Sequence, residues 1–282
     1  MKDITELKEL ASQTRRDIVR MVHAVQSGHP GGSLGCVEYF LALYHKIMEY
    51  KPDKFSMDGL NEDIFFLSNG HITPVYYSVL ARAGYFQLSE LHTFRKINSR
   101  LQGHPATHDG LEGVRIASGS LGQGLSVAIG AALSKKLNKD RQLVYALCGD
   151  GEINEGQIWE ALMYAAAKQV DNIVLTVDCN GQQIDGSTKS VLDSGNLKEK
   201  FAAFGWQTHI CENGNNIEVV ISVLENAKNC TGKGMPQVIL MHTEMGAGID
   251  FMMGSHKWHG IAPNDEQLKQ ALDQLPSTLV DY

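Results

Sequence analysis

The chain has 282 residues, of which 43% are hydrophobic and 20% are charged, and its formal net charge is −7. This length can form one large α/β core or two small ones. A negative net charge and the lack of a Lys/Arg cluster argue against nucleic-acid binding. No stretch resembles a signal peptide or the roughly 18 apolar residues of a membrane span. The five scattered cysteines include no C-x-x-C pair, so we expect no zinc site, no disulfide framework and a cytoplasmic location.

The first third of the chain alternates between helical and extended patterns. Residues 3–26 have apolar side chains at helical spacing, and Asp3 and Glu6 are placed as a capping box. The segment GHPGGSLG breaks this pattern, and VEYFLALYHKIME resumes it as a second helix. The predicted strand DIFFLS is followed by two predicted helices, PVYYSVLARAG and LSELHTFRKI, and then by a loop at 103–120 rich in Gly, His and Pro.

The remainder of the chain alternates regularly between strands and helices. Helix GQGLSVAIGAALSKKL leads into LVYALC, a continuous apolar run typical of a buried parallel strand. Then follow helix NEGQIWEALMYAAAKQ, strand NIVLTVD, helix NLKEKFAAF, strand WQTHIC, helix NIEVVISVLENAKN, strand PQVILMH and helix NDEQLKQALDQL. This order predicts a doubly wound, mainly parallel sheet with helices on both faces. Since no linker or repeat interrupts it, we predict one domain over residues 1–282.

Two polar residues end neighbouring strands of this predicted sheet. Asp150 follows LVYALC within a Gly-Asp-Gly sequence, and Asn180 follows NIVLTVD. Ligands of doubly wound folds lie beyond the carboxyl ends of the strands, so the two side chains should point at one place. Carboxylate and amide oxygens suit Mg²⁺, which proteins usually hold together with phosphate oxygens. Gly149 and Gly151 allow close approach of the backbone, and the next helix offers N–H groups to an anion. The sequence therefore predicts a magnesium site with a phosphorylated cofactor.

Seven ordered motifs make the chain resemble the thiamine-diphosphate-binding part of transketolases. They are SGHPGGSLG (27–35), LSNGHITPVYY (67–77), GHP (103–105), SGSLGQGLSVAIG (118–130), GDGEINEGQIWEA (149–161), DCNGQQIDG (178–186) and GSHKWHG (254–260). The resemblance implies thiamine diphosphate and Mg²⁺, with Ca²⁺ or Mn²⁺ as substitutes. It implies Asp150, Asn180 and the backbone carbonyl of Gln182 as metal ligands. Gln182 stands where the family commonly has an apolar residue, which a carbonyl ligand tolerates.

Five of the eleven histidines lie in Gly-rich or turn-like stretches, namely His29, His71, His104, His256 and His259. Histidine suits proton transfer because its ordinary pKa of about 6.5 is near working pH. The resemblance implies that His71 and His256 border the cofactor and that His29, His104 and His256 meet the sugar. For His259 the resemblance implies no definite role.

Further residues of the cofactor site follow from the same resemblance. Gly119, Ser120 and Leu121 match the loop that binds the aminopyrimidine, although Ser120 replaces a common proline. Gly149, Asp150 and Gly151 border the diphosphate, and Ile184 matches a residue that packs on the thiazolium. Glu155 and Glu160 match glutamates buried at a dimer contact. Glu152 fits either a functional role or a solvated charge at a helix N-terminus.

The resemblance covers only the N-terminal part of transketolases. Their pyrimidine-binding and C-terminal domains match nothing in this chain, so we expect a subunit that is active only with a C-terminal partner subunit, as a homodimer or heterotetramer. The implied reaction transfers a two-carbon ketol unit from a ketose phosphate to an aldose phosphate. Three alternatives remain open: a deoxyxylulose-phosphate synthase-like subunit, a transketolase for an unusual sugar, and a non-catalytic cofactor-binding homologue.

Overall fold

A five-stranded parallel sheet lies at the centre of the structure, a computed structural model that describes residues 2–282. Its strands, in spatial order, are β1 (Ile64–Leu67), β2 (Val144–Gly149), β3 (Ile173–Cys179), β7 (Gln237–His242) and β6 (Gln207–Cys211). All neighbouring pairs are parallel. A separate antiparallel hairpin consists of β4 (Gln182–Gln183) and β5 (Gly186–Ser187). The sequence did not predict this hairpin, because two-residue strands are too short to show an alternating pattern.

Helices connect the strands and cover the sheet. They are α1 (Ile4–Val25), α2 (Pro30–Gly35), α3 (Val37–Ala42), α4 (Thr73–Arg82), α5 (Gly124–Leu137), α6 (Gly156–Ala167), α7 (Thr188–Leu192), α8 (Leu197–Ala203), α9 (Ile217–Cys230) and α10 (Asp265–Gln274). The predicted capping box of Asp3 and Glu6 begins α1. Across residues 2–282, no helix has the length and apolar character needed to cross a membrane.

The sheet is buried on both faces. Side chains alternate along each strand, so that Phe65 and Tyr145 pack against α1, α3, α4 and α9, whereas Phe66 and Ala146 pack against α5, α6 and α8. Because both faces of each central strand are apolar, the sequences of these strands are continuous hydrophobic runs. The predicted doubly wound α/β fold is confirmed.

Three local predictions differ from the structure. GHPGGSLG contains the short helix α2, which begins at Pro30, a residue whose fixed φ suits the first helical turn. VEYFLALYHKIME is α-helical only to Ala42 and continues as a π-helix over Leu43–Ile47. LSELHTFRKI forms only a 3₁₀ segment, Leu88–Thr93, which cannot continue because Arg95 adopts a left-handed φ of 55°. These local conformations cannot be predicted from glycine content and apolar spacing alone.

Candidate functional site at the carboxyl edge of the sheet

Asp150 and Asn180 lie at the carboxyl ends of the adjacent strands β2 and β3. The register pairs Gly149 with Asp178, so the loops that follow both strands leave the sheet at the same level. Asp150 accepts hydrogen bonds from the amides of Gly151 at 2.8 Å and Gly181 at 2.7 Å. The carboxylate therefore connects the two loops directly, as the predicted metal site requires.

Asp178 is a site residue that the sequence analysis did not single out. It is buried at the end of β3, where its carboxylate accepts from the Asn180 amide nitrogen at 2.7 Å and from the Thr243 hydroxyl. The Asn180 Oδ1 is then turned toward the 181–182 turn and accepts from the Gln182 amide at 2.9 Å. Asp178 thus orients the carboxamide of Asn180. Its position two residues before Asn180, at the end of an apolar strand, was the available signal.

The charges at this edge fit a divalent cation. Burial, together with the nearby Asp178 carboxylate, raises the pKa of Asp150 to about 7. Burial also raises the pKa of Asp178. Within residues 2–282, no Lys, Arg or His forms an ion pair with either carboxylate. A bound cation would supply the missing positive charge, and oxygen donors of this kind suit Mg²⁺.

Four histidines converge beside this edge, although they come from distant parts of the chain. The ring centroid of His29 lies 5.0 Å from that of His71, 6.2 Å from that of His104 and 5.6 Å from that of His259. The rings of His71 and His259 are 5.0 Å apart. Among the ring contacts of the described residues, none joins His256 to this cluster. We refer to His29, His71, His104 and His259 as the histidine cluster.

The imidazoles of the cluster are held neutral. Burial is the main cause in each case, and the neighbouring histidines and Arg95 add to it at some of the positions. The pKa of His29 is lowered to about 4, that of His71 is lowered well below its ordinary value, and those of His104 and His259 are also lowered. A neutral imidazole can both donate and accept a hydrogen bond, so the cluster can exchange protons with a ligand at neutral pH.

The lowered pKa of His71 predicts a pH-dependent stability. Unfolded, His71 has a pKa near 6.5, so below that pH the unfolded chain binds a proton that the folded chain does not. The stabilising effect of neutral His71 is complete above pH 6.5 and is lost as the pH falls. Relative to His71→Asn, which cannot titrate, wild type should lose about 1.4 kcal/mol per pH unit between pH 6 and 5. Urea unfolding of both proteins at each pH measures this.

The matched control for that experiment is His108→Asn, because the His108 side chain is 84% exposed. Its unfolding free energy should follow that of wild type at both pH values. If the difference in unfolding free energy between wild type and His71→Asn were the same at pH 6 and pH 5, the conclusion that His71 is buried in its neutral form would be contradicted.

The loop at 118–121 closes over the end of β1 and contacts the histidine cluster. A Cβ added at Gly119, where φ is +125°, would lie 2.5 Å from the His104 ring. A Cβ at Gly70 would collide with Ser118 and the Gly119 amide. Several buried polar atoms around these loops have no partner among the described residues: His29 Nδ1, Asn69 Oδ1, Ser118 Oγ and Gln183 Nε2. Unpaired polar atoms gathered at one edge fit a polar ligand.

Glu152 is buried and joins three loops of this edge. Its carboxylate accepts from the Ser68 hydroxyl, from the Gly122 amide at 2.9 Å and from the Gly149 amide at 3.1 Å. Burial raises the pKa of Glu152. The interpretation of Glu152 as a solvated charge at a helix N-terminus is wrong, because the residue is only 2% exposed. It positions the loops that follow β1 and β2 and the loop before α5.

We expect Glu152→Ala to lower the free energy of unfolding by roughly 3 kcal/mol, since the substitution leaves three donors without an acceptor. Denaturant unfolding of the purified chain measures this. Glu160→Ala is the matched control because Glu160 is exposed, and it should change stability by less than about 0.5 kcal/mol. Equal effects of the two substitutions would show that Glu152 does not hold the loops.

The remaining predicted residues surround the opening of the site. Ser120 and Leu121 are exposed at the tip of the 118–121 loop, and Ile184 is 59% exposed on the β4–β5 turn. A Cβ at Gly260 would lie within 4 Å of both Ile184 and His29, so this turn borders the histidine cluster. Glu155, just before α6, and Glu160, in its first half, are both exposed. In the single chain these two glutamates are therefore not buried.

Comparison with known proteins identifies the family of this chain. The family model for the thiamine diphosphate binding domain of transketolase matches residues 7–277. The chain belongs to the transketolase family. It is 36% identical over 271 residues to an apulose-4-phosphate transketolase subunit of Actinobacillus succinogenes, covering 96% of both chains. It is 34% identical to a 6-deoxy-6-sulfo-D-fructose transketolase subunit of a Clostridium species, again covering 96% of both chains.

Longer transketolases match over less than half of their length. The solved transketolase of Campylobacter jejuni superposes with a TM-score of 0.89 at 33% identity, over 97% of this chain and 43% of that one. Human transketolase is 34% identical over 97% of this chain and 42% of its own length. The chain is thus an N-terminal transketolase domain, similar over its full length to transketolase subunits of the same size. Its family binds thiamine diphosphate and a divalent metal, which fits the charges and the unpaired polar atoms at the carboxyl edge.

Proposed function

We propose that this chain is the cofactor- and metal-binding subunit of a two-chain transketolase that transfers a two-carbon ketol unit between sugars. The observation that carries the proposal is the meeting of the histidine cluster with the Asp150–Asn180 edge. The β4–β5 hairpin supports this, because a Cβ at Gly260 would contact both its Ile184 and His29, and a Cβ at Gly151 would contact its Gln183. Neutral imidazoles near a metal-held diphosphate would suit proton transfer. We further propose that residues 1–282 form one diphosphate-binding domain.

Each predicted site residue has a proposed role. Asp150, the Asn180 side chain and the Gln182 carbonyl would hold Mg²⁺, and Gly149, Gly151, Gly119, Ser120, Leu121, Glu155 and Ile184 would border the cofactor. Bound thiamine diphosphate supplies the electron sink for cleavage of a carbon–carbon bond. His71 would bind the diphosphate, while His29 and His104 would hold or move protons at the sugar carbonyl and hydroxyls. His256 keeps its proposed place beside the cofactor and the sugar, and we add His259, which lies in the cluster, to the proposed sugar-facing residues.

The partner surface is the face that α5 and α6 share. Val127, Met163 and Tyr164 are 45%, 54% and 49% exposed there, next to Glu160. Gly130 lies in the middle of α5, and nothing lies within 4 Å of a Cβ built on it. An exposed mid-helix glycine costs about 1 kcal/mol relative to alanine. Close approach of another chain would explain why it is tolerated and would bury the apolar side chains and the glutamate.

Its relatives favour an unusual sugar as the substrate. Two relatives that match over 96% of their length are named for acidic sugars, apulose 4-phosphate and 6-deoxy-6-sulfo-D-fructose. We therefore propose a ketose and an aldose that carry a phosphate or sulfonate terminus, of which xylulose 5-phosphate and ribose 5-phosphate are the simplest assay pair.

Substitutions in the histidine cluster test the proposed roles in the assembled enzyme. His29→Gln and His104→Gln should lower turnover by on the order of 10²–10⁴ and leave cofactor affinity within a few-fold of wild type. His71→Gln should instead weaken cofactor binding. Steady-state kinetics and calorimetry measure the two effects, with exposed His92→Gln as the control. If all three variants changed turnover and cofactor affinity in the same way, the proposed division of roles would be contradicted.

A further inference from the structure

Thr243 lies at the carboxyl edge of the sheet, directly after β7. Strand β7 is paired with β3, and the register places Asp178 of β3 opposite Met241 of β7. The Thr243 hydroxyl therefore reaches the Asp178 carboxylate across two adjacent strands and donates to its Oδ1. The two residues are 65 positions apart in the chain, so this contact depends on the pairing of the strands.

The two oxygens of the Asp178 carboxylate accept from different partners. Oδ1 accepts from the Thr243 hydroxyl, and Oδ2 accepts from Nδ2 of Asn180 at 2.7 Å. A carboxylate that is bonded through both oxygens cannot rotate without losing one of the hydrogen bonds. Because a carboxylate only accepts, it selects the nitrogen of the Asn180 carboxamide and leaves the oxygen to face away from Asp178. That oxygen is the proposed metal ligand.

Close packing fixes the direction of the Thr243 hydroxyl. A Cβ built on Gly214 would lie 2.7 Å from the Thr243 methyl carbon, and a Cβ built on Gly35 would lie 3.6 Å from the hydroxyl oxygen. The Gly214 amide donates to the His242 carbonyl at 2.6 Å, which anchors the same turn. Threonine is branched at Cβ, so a methyl group held against Gly214 also determines where the hydroxyl points. The donor to Asp178 is thus held in place on two sides.

We propose that Thr243 is a positioning residue of the metal site, which acts through Asp178 to keep the carboxamide oxygen of Asn180 directed at the cation. This inference rests on the proposed function and adds a residue outside the proposed ligands. Groups that hydrogen-bond to metal ligands fix the orientation of those ligands, and their loss typically lowers metal affinity by about 10- to 100-fold. Without the hydroxyl, the Asp178 carboxylate and the Asn180 carboxamide are free to rotate together.

Binding of Mn²⁺ to the assembled enzyme in the presence of thiamine diphosphate tests the inference without relying on turnover. Thr243→Val keeps the branched shape but removes the donor, and it should weaken Mn²⁺ binding by about 10- to 100-fold. Thr243→Ser keeps the donor and should bind Mn²⁺ within about fivefold of wild type. Thr243→Ala removes the donor without adding a methyl group and replaces Thr243→Val if that variant does not fold. Titrations followed by electron paramagnetic resonance measure all these affinities.

Thr208→Val is the matched control. Thr208 lies on β6, next to β7, and its buried hydroxyl has no hydrogen-bond partner among the described residues, so the same exchange removes no hydrogen bond. This variant should bind Mn²⁺ as wild type does. Equal Mn²⁺ affinities of Thr243→Val and wild type, or equal losses in Thr243→Val and Thr208→Val, would overturn the role of Thr243. Failure of wild type to bind Mn²⁺ with thiamine diphosphate would instead refute the proposed function.

A double-mutant cycle shows whether Thr243 acts through Asp178. Asp178→Asn should weaken Mn²⁺ binding at least as much as Thr243→Val does, because it removes the group that selects the nitrogen of Asn180. If Thr243 acts through Asp178, adding Thr243→Val to Asp178→Asn should change the Mn²⁺ affinity by less than about twofold. Losses that are additive in free energy would overturn this route from Thr243 to the metal.

Discussion

Asp150→Asn should lower magnesium-dependent affinity for thiamine diphosphate by at least about 100-fold in the assembled enzyme. Asp150 is the only carboxylate among the proposed ligands, so its replacement removes the negative charge that pairs with the cation. The exposed carboxylate of Asp185, on the nearby β4–β5 turn, offers the matched control, and Asp185→Ala should bind the cofactor as wild type does. Calorimetry with and without Mg²⁺ measures all three proteins.

The same substitution should leave the fold intact, which separates loss of metal from loss of structure. The pKa of Asp150 is raised to about 7 from an ordinary value near 3.8. The folded chain therefore holds a proton that the unfolded chain releases between these values, and the associated stability is lost as the pH rises through 7. At pH 8 without metal, Asp150→Asn should be at least as stable as wild type. Undiminished cofactor affinity would refute Asp150 as a metal ligand.

The purified chain alone should have no transketolase activity and should gain it when mixed with a second polypeptide that carries the pyrimidine-binding domain. The buried carboxylates at the edge are already engaged: Asp150 by backbone amides, Asp178 by Asn180 and Thr243, and Glu152 by three loops. Proton transfer at the aminopyrimidine of the bound cofactor would therefore need a group from the partner. A coupled assay with xylulose 5-phosphate, ribose 5-phosphate, thiamine diphosphate and Mg²⁺ measures this.

Substitutions on the α5–α6 face test whether the partner subunit binds this surface. Met163→Glu should prevent activation by the partner because it places a charge in the proposed contact. Met235→Glu is the matched control: Met235 is also exposed, at 43%, but it lies outside α5 and α6, just before β7 at the amino edge of the sheet. Full activity of the chain alone would contradict the need for a partner, and equal activation of both variants would place the contact elsewhere.

The amino-acid sequence alone was sufficient to predict the fold and to single out the two strand ends at which Asp150 and Asn180 lie. The central strands are buried on both faces, so their apolar runs stand out, and the helices between them follow the regular order of parallel sheets. Asp150 and Asn180 were recognisable because each directly follows such a strand, and a parallel sheet brings the ends of adjacent strands to one edge. These features depend on short stretches of chain and on general rules of topology.

The properties of individual side chains depended on packing between segments far apart in the chain. Glu152 resembles any acidic residue at a helix start, and only the approach of the loops after β1 and before α5 buries it. His256 and His259 are three residues apart in one turn, and the fold brings only His259 into ring contact with His29 and His71. The sequence by itself determined which strands carry the candidate site; the tertiary structure decided which side chains are desolvated and which find a partner. Desolvation and pairing depend on neighbours in space, which the order of residues does not specify.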